Sequence, residues 1–530
     1  MKKSLEIIEK ICIVGIIVLI LVIVAGILFL NRNSAVEEKE AQVPGTEKEE
    51  LSDELDFMPS GLRLGEKTEL DFFQDASGNQ VDLQDEYNGK TKILIFWGSW
   101  CSYCDKTLKS LREYSRFLDQ YQDMELILIN KTDPDKEESV EKAENYLKEQ
   151  KLDFPCYYDK DLTGYHSYGI KRIPTILVID GSGYMRDILV NTVESEKEWK
   201  EIFAQAQDGK ASGIFQKIMS GWIGEEGQIY TEQKETKSSS PSGHDVLSES
   251  QGIMMEYAAL CQDQELFEKE AAFLQKYMER ENIYSWYVTQ AGKQADSNAL
   301  LDDLRIYKAM WIANEQWSDQ EDKLKLLSDG ILKHNTKAGE LYSFYDFQQK
   351  MPGKEIALNY VDFYTLELLQ EQQEAFSSIC SNMKEIVENG YISDQVPLYY
   401  ASYDYETKKY KEDSLHTAEE LVTFYHLAQV GRLKETSYRW LKEQLSNNRL
   451  CARYGTDGKV VSGYEYESTA VYALAALIGI EEKDSFIYTR AIQRMELLMK
   501  QNADTENMRV FDLLMPMLAY AKGENVQFNK

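Results

Sequence analysis

The stretch Trp100-Cys101-Ser102-Tyr103-Cys104 constrains the fold of this chain more than any other. It follows the apolar run Ile93–Trp97 and precedes an amphipathic run marked by Leu108, Leu111, Tyr114 and Phe117. The order is strand, turn, two cysteines separated by two residues, helix. A thiol at a helix N-terminus meets the positive end of the backbone dipole, which favours thiolate. The second cysteine lies one turn on, within reach to close a disulfide. A Cys-x-x-Cys pair has three ordinary readings: half a zinc site, a redox pair, or coincidence. Structural zinc needs two more ligands at close spacing. No second pair exists and the nearest histidine is His166, so no metal is expected. Ile173-Pro174-Thr175 favours the redox reading, because a proline between a turn and a strand is the expected place for a cis peptide bond.

At 530 residues the chain is too long for one ordinary core, and a multidomain protein is expected. The formal net charge of −31 argues against a nucleic-acid partner, since phosphate binding needs clustered cations. Ile11–Leu30 is an unbroken apolar run, long enough to span a bilayer. Lys2, Lys3 and Lys10 precede it and an acidic stretch follows, so the positive-inside tendency places the N-terminus in the cytoplasm. The expected layout is a cytoplasmic tip and single transmembrane helix over 1–33 and a flexible linker over 34–60. An α/β domain over 61–208 and a helical domain over 212–525 follow, both on the outer side of the cell membrane. The other five cysteines, Cys12, Cys156, Cys261, Cys380 and Cys451, read as small buried hydrophobes.

Within the α/β domain the strand candidates are Ile93–Trp97, Leu126–Asn130, Thr175–Ile179 and Met185–Val190, with helices at Asp105–Gln120 and Ser139–Glu149. Past Ala211 the pattern is helix after helix. Starts fall near Ser248, Gln264, Leu301, Gln320, Tyr360, Gln373, Leu415, Lys434, Ser468, Asp484 and Asn507. Pairs recur roughly every fifty residues, as in stacked or closed helical hairpins. The first member of several pairs is the more apolar, as inner helices of a double-layered barrel would be. Carboxylates gather at the starts of these inner helices: Glu249, Asp302, Asp303, Asp362, Asp413 and Glu467. Acidic residues are favoured at helix N-termini in any case. Two separated carboxylates flanking a cleft would also suit glycoside hydrolysis. Trp286, Trp311, Trp317, Tyr360, Tyr364, Tyr399 and Tyr400 are candidates for stacking on sugar rings, or for the core.

The α/β region resembles the thioredoxin superfamily, and more closely the membrane-anchored TlpA/ResA-type thiol-disulfide proteins. The resemblance rests on Phe96–Cys104, Phe154-Pro155-Cys156-Tyr157-Tyr158-Asp159, Tyr168–Thr175 and Val178-Ile179-Asp180-Gly181. It implies that Cys101 attacks, that Cys104 resolves the mixed disulfide, and that Pro174 is the cis-proline beside them. Trp100 supports the motif. The only redox group implied is the Cys101–Cys104 disulfide, with no further cofactor. Thr107 stands where the family often carries Glu, and Ser102-Tyr103 where proline is common.

The region from Gly213 to Ala521 resembles glycoside hydrolase family 8, an (α/α)6 barrel. The matching stretches are Trp222–Ile229, Ser248–Gly252, Ala299–Ile306, Glu412–Thr417 and Tyr466–Ala470. By that resemblance Glu249 is the general acid and Asp413 the general base, with Asp404 as the fallback. Leu301 replaces the first of two motif aspartates; Asp303 takes the second place and Asp302 lies between them. Trp311, Tyr360 and Tyr364 are the expected substrate-binding aromatics. The implied activity is inverting hydrolysis of a β-1,4-linked polysaccharide, beside thiol exchange with a partner protein. The alternative is a redox protein, or a polysaccharide-secretion scaffold, whose helical domain binds glycan or a partner without hydrolysis.

Overall fold

The computed structural model describes residues 55–121, 123–235, 241–502 and 508–528. The expected membrane helix, and the linker up to residue 54, lie outside these. Among the described residues no helix is long and apolar enough to cross a membrane. Leu55–Ser60, expected as flexible linker, is instead packed. Leu55 is buried, Gly61 N–H bonds Tyr168 O, and Phe57 lies under the Arg172 guanidinium.

The first layer is a seven-stranded sheet in the order β2-β1-β5-β4-β3-β6-β7. Its strands are β1 (Phe73–Gln74), β2 (Gln80–Val81), β3 (Thr91–Trp97), β4 (Met124–Lys131), β5 (Cys156–Asp159), β6 (Thr175–Ile179) and β7 (Met185–Leu189). β3, β4 and β5 run parallel, while β6 is antiparallel to both β3 and β7. From Lys92 on, every residue of β3 is buried, as a central strand covered on both faces requires. Its side chains alternate between two cores. Ile93, Ile95 and Trp97 pack with α1 (Ser102–Tyr114), α2 (Val140–Gln150) and α4 (Glu196–Asp208). Leu94 and Phe96 face the other way, toward Leu62, Leu64 and α3 (Thr163–Tyr168). The β5 strand and the β1–β2 hairpin were not among the expected strands.

The second layer is a closed ring of helices. The inner six are α6 (Ser248–Leu260), α8 (Leu300–Trp317), α10 (Phe363–Gln372), α12 (Thr417–Gln429), α14 (Thr469–Glu481) and α16 (Phe511–Gly523). Each packs on the next, and α16 packs back on α6. The outer six are α5 (Lys210–Gly221), α7 (Gln264–Tyr277), α9 (Glu321–His334), α11 (Phe376–Asn389), α13 (Glu435–Ser446) and α15 (Ser485–Gln501). This is the expected (α/α)6 arrangement, with α5, absent from the expected helix starts, as the outer partner of α16. Inner α14 is buried on every side from Thr469 to Gly479, whereas outer α7 buries one stripe, Leu266, Phe267, Glu270, Ala271, Phe273 and Leu274.

The second core of the sheet runs without a break into the core of the barrel. Glu66 bridges to Phe528, Leu64 N–H bonds Thr489 Oγ1, and Lys210 joins Asp187 of β7 to Glu496 of α15, both at 2.5 Å. The two layers form a single unit from Leu55 onward.

Candidate functional sites

The dithiol sits where β3 ends. Cys101 is the N-cap of α1, and its sulfur accepts the Cys104 backbone N–H at 3.2 Å. The same sulfur lies 3.6 Å from Ile173 O, next to the cis Ile173–Pro174 bond, so Pro174 stands where the sequence places it. Both cysteines are free thiols. The side-chain hydrogen bond from Cys104, with help from backbone N–H groups, brings the Cys101 thiol down to about 7. Burial pushes the Cys104 thiol far up. Near neutral pH one sulfur is thus partly thiolate and the other holds its proton. Trp100 is exposed, with Lys136 and Lys131 over its ring at 5.4 and 5.9 Å. Thr107 accepts Val193 N–H and has no access to solvent.

A carboxylate does stand near the motif, from the loop just before α2. Glu138 is buried and accepts hydrogen bonds from Ser99 N–H (2.9 Å), Ser99 Oγ (2.5 Å) and Asn130 Nδ2 (2.9 Å). It fixes the turn that presents Trp100 and Cys101. The only hint in the sequence is an acidic residue shortly after the strand that ends at Lys131.

In the barrel, the carboxylates at the inner-helix starts divide into two kinds. At the fourth residue of four inner helices, a polar side chain accepts a backbone N–H from the preceding loop. Gln251 accepts Ile229 N–H at 2.8 Å, and Asp303 accepts Tyr284 N–H at 2.9 Å. Glu420 accepts Tyr399 N–H and Tyr472 Oη accepts Leu450 N–H, both at 2.9 Å. Asp303 also accepts from Asn298 Nδ2 at 2.7 Å and is wholly buried. It anchors a loop and is closed off from solvent. Asp362 caps its own helix through Thr365, and Glu467 is held by Arg494 and Tyr472.

The second kind is a cluster at the start of α6 and α8. Arg305 Nη1 lies 2.6 Å from Glu249 Oε1 and 3.7 Å from Asp302 Oδ1. Ser248 Oγ donates to Asp302 Oδ2 at 2.7 Å. Glu249 is 28% exposed and Asp302 10%. Burial, and then the charge of Glu249, push the Asp302 carboxyl up to about 7. Tyr360 is half-buried and feels the charges of Asp302, Glu249, Arg305 and Glu419. Trp286 adjoins the cluster, its carbonyl accepting Ser248 N–H at 3.0 Å. Arg305 was not foreseen; an arginine three residues after Asp302, one turn on in the same helix, was the available signal.

The remaining candidates scatter. Asp413 lies in the segment before α12, 62% exposed, with its Oδ1 accepting Ser414 N–H at 2.9 Å. Asp404 caps a hairpin turn through Thr407 N–H at 2.7 Å. Tyr364 follows Tyr360 into α10, whereas Trp311 lies about 13 Å along α8 from Asp302 at 1.5 Å rise per residue, packed against the core. Glu419, in the first turn of α12, was not among the expected site residues. In a ring of six, α12 stands opposite α6, so Glu419 and Glu249 start from opposite sides.

Residues 66–188 match the AhpC/TSA family. The thiol-disulfide oxidoreductase ResA of Bacillus cereus is 27% identical over 145 residues, 27% of this chain and 78% of that protein. The YdaJ protein of Bacillus subtilis is 28% identical over 260 residues, 46% of this chain and 68% of that one. Among solved structures, a novel α-amylase from Clostridium perfringens is 27% identical with a TM-score of 0.54, covering 58% of this chain and 96% of that one.

Proposed function

We propose that this chain joins two chemistries: disulfide exchange with a protein partner through Cys101 and Cys104, and hydrolysis of a glycan at the mouth of the barrel. The observation that carries the second reading is the Glu249–Arg305–Asp302 cluster beside Tyr360. A carboxyl pair on one wall supplies the proton for the glycosidic oxygen. A carboxylate on the α12 side, Asp413 or Glu419, draws the proton from the attacking water. A sugar ring stacks on Tyr360, with Tyr364 beside it. We read the substrate as a β-1,4-linked polysaccharide from the family 8-like motifs. The likeness to an α-amylase makes an α-glucan the second substrate to try. The apolar run Ile11–Leu30 anchors the chain in the cell membrane with both domains outside.

The test is release of reducing ends from β-1,4 and α-1,4 oligosaccharides by the full chain. Activity that disappears in the double variant Glu249→Gln, Asp302→Asn is the expected result. No release from any glycan overturns the hydrolase reading. For the dithiol, Cys104→Ser is expected to trap mixed disulfides through Cys101; an empty trap and no insulin reduction by the unaltered protein would overturn exchange. A second reading, a redox protein whose barrel binds glycan without cutting it, is favoured by one observation. Glu249 is tied to Arg305 at 2.6 Å, so the carboxyl expected to act as the acid is already engaged by a cation.

A further inference from the structure

The tie between Glu249 and Arg305 raises the question of where the proton for glycosidic cleavage resides. We propose that the Glu249–Arg305–Asp302 cluster holds a single proton and that it resides on Asp302, with Glu249 paired to Arg305. The inference rests on the hydrolase reading for its role in catalysis, but not for the location of the proton.

Three features of the geometry assign it. Arg305 is 2.6 Å from Glu249 and 3.7 Å from Asp302, so the guanidinium gives Asp302 the weaker share of its attraction. Asp302 is also the more deeply buried of the two, and burial disfavours its charged form more. With one cation between two carboxyls, full ionisation would leave a net negative charge at the site; one proton leaves it neutral. The groups facing Asp302 are Ser248 and Glu249 on α6, Arg305 and Asp303 on its own helix, and Tyr360 before α10. Ser248 and the Glu249 backbone N–H bond to the carboxyl and pull the other way, while burial and the Glu249 charge raise it to about 7.

The carboxyl pair has a further geometric consequence. Both groups meet the same nitrogen, so their nearest oxygens are separated by no more than the two distances laid end to end. That falls short of the ~6.5–9.5 Å that leaves room for a water between an inverting acid and base. Glu249 and Asp302 are therefore one functional half of the site, and the base comes from the opposite wall. In the hydrolytic step Asp302 gives its proton to the glycosidic oxygen as that C–O bond breaks. Water bonds to the anomeric carbon and gives its proton to the carboxylate on the α12 side. Asp302 is left ionised, held by Ser248 and Arg305, until solvent returns a proton.

Infrared difference spectra of the full chain, labelled with 13C-carboxyl aspartate and titrated from pH 5 to 9, test this without any turnover. A protonated aspartate band that titrates near neutrality is expected, absent in Asp302→Asn. In Glu249→Gln the band is expected to persist with its midpoint shifted to lower pH, because a neighbouring negative charge is gone. Two results would overturn the assignment: an unchanged band in Asp302→Asn, or a neutral-range band that appears only with labelled glutamate. Circular dichroism of both variants separates a lost band from a lost fold. If the band behaves as expected but no glycan is cut, the hydrolase reading fails and the proton assignment stands.

Discussion

Cys101 and Cys104 are three residues apart and meet opposite surroundings. Cys101 caps a helix and receives hydrogen bonds; Cys104 is enclosed by apolar side chains. Alkylation of the reduced protein should therefore modify Cys101 with a midpoint near pH 7 and leave Cys104 untouched. Cys104→Ala removes the largest cause of the lowered value. Its alkylation midpoint should rise toward the ~8.5 of a free cysteine; an unmoved midpoint would shift the credit to the helix N-terminus. This site was legible in the sequence because its residues are consecutive, apart from Pro174. Glu138 was not, since nothing local marks that its carboxylate turns back to Ser99.

Four of the inner helices share a polar anchor near their starts. A position four residues in, occupied by Gln251, Asp303, Glu420 or Tyr472, ties down the loop that enters the helix. Asp303→Ala leaves Tyr284 N–H and the Asn298 amide without their partner, at a cost of about 1–3 kcal/mol for each buried group. A clear fall in melting temperature is expected there. Asp302→Asn should melt close to the unaltered protein, and equal losses would contradict the division of roles. Burial raises Glu420 to about 8 from an ordinary 4.5. The folded protein thus binds a proton there that the unfolded chain has released. Its contribution to stability falls as pH rises from about 4.5 to 8 and then levels off. Glu420→Gln can still accept Tyr399 N–H and should flatten that decline by up to about 1.4 kcal/mol per pH unit. Identical slopes would show that the buried carboxyl is not protonated. The pairing of helices was legible because the inner member of several pairs is more apolar than its outer partner. The choice between Asp302 and Asp303 was not, because adjacent helical residues point about 100° apart and only packing decides which faces the mouth.

The two domains share a core, so the dithiol does not swing on a tether. Leu64, Met185 and Ile188 on the sheet side and Tyr488 and Phe528 on the barrel side belong to one continuous cluster. Lys210 sits between Asp187 and Glu496, whose attraction outweighs burial and keeps it charged. Lys210→Met strands the buried carboxylate of Asp187, a change of the kind that costs about 3–5 kcal/mol. Calorimetry should show one unfolding transition before the substitution and a lower or split transition after it; an unchanged trace would contradict the weld. The boundary between domains was legible as a change of periodicity near Ala211, but their union was not. It is made by Leu55–Lys67, Lys210 and the segment ending at Phe528, which are far apart in the chain and individually unremarkable. The most direct measurement of the whole account is reducing-end release from β-1,4 and α-1,4 oligosaccharides by the full chain and its Asp302→Asn variant. The account predicts release from one linkage class and its loss in the variant. No release by the unaltered protein, or equal release by both, would contradict it.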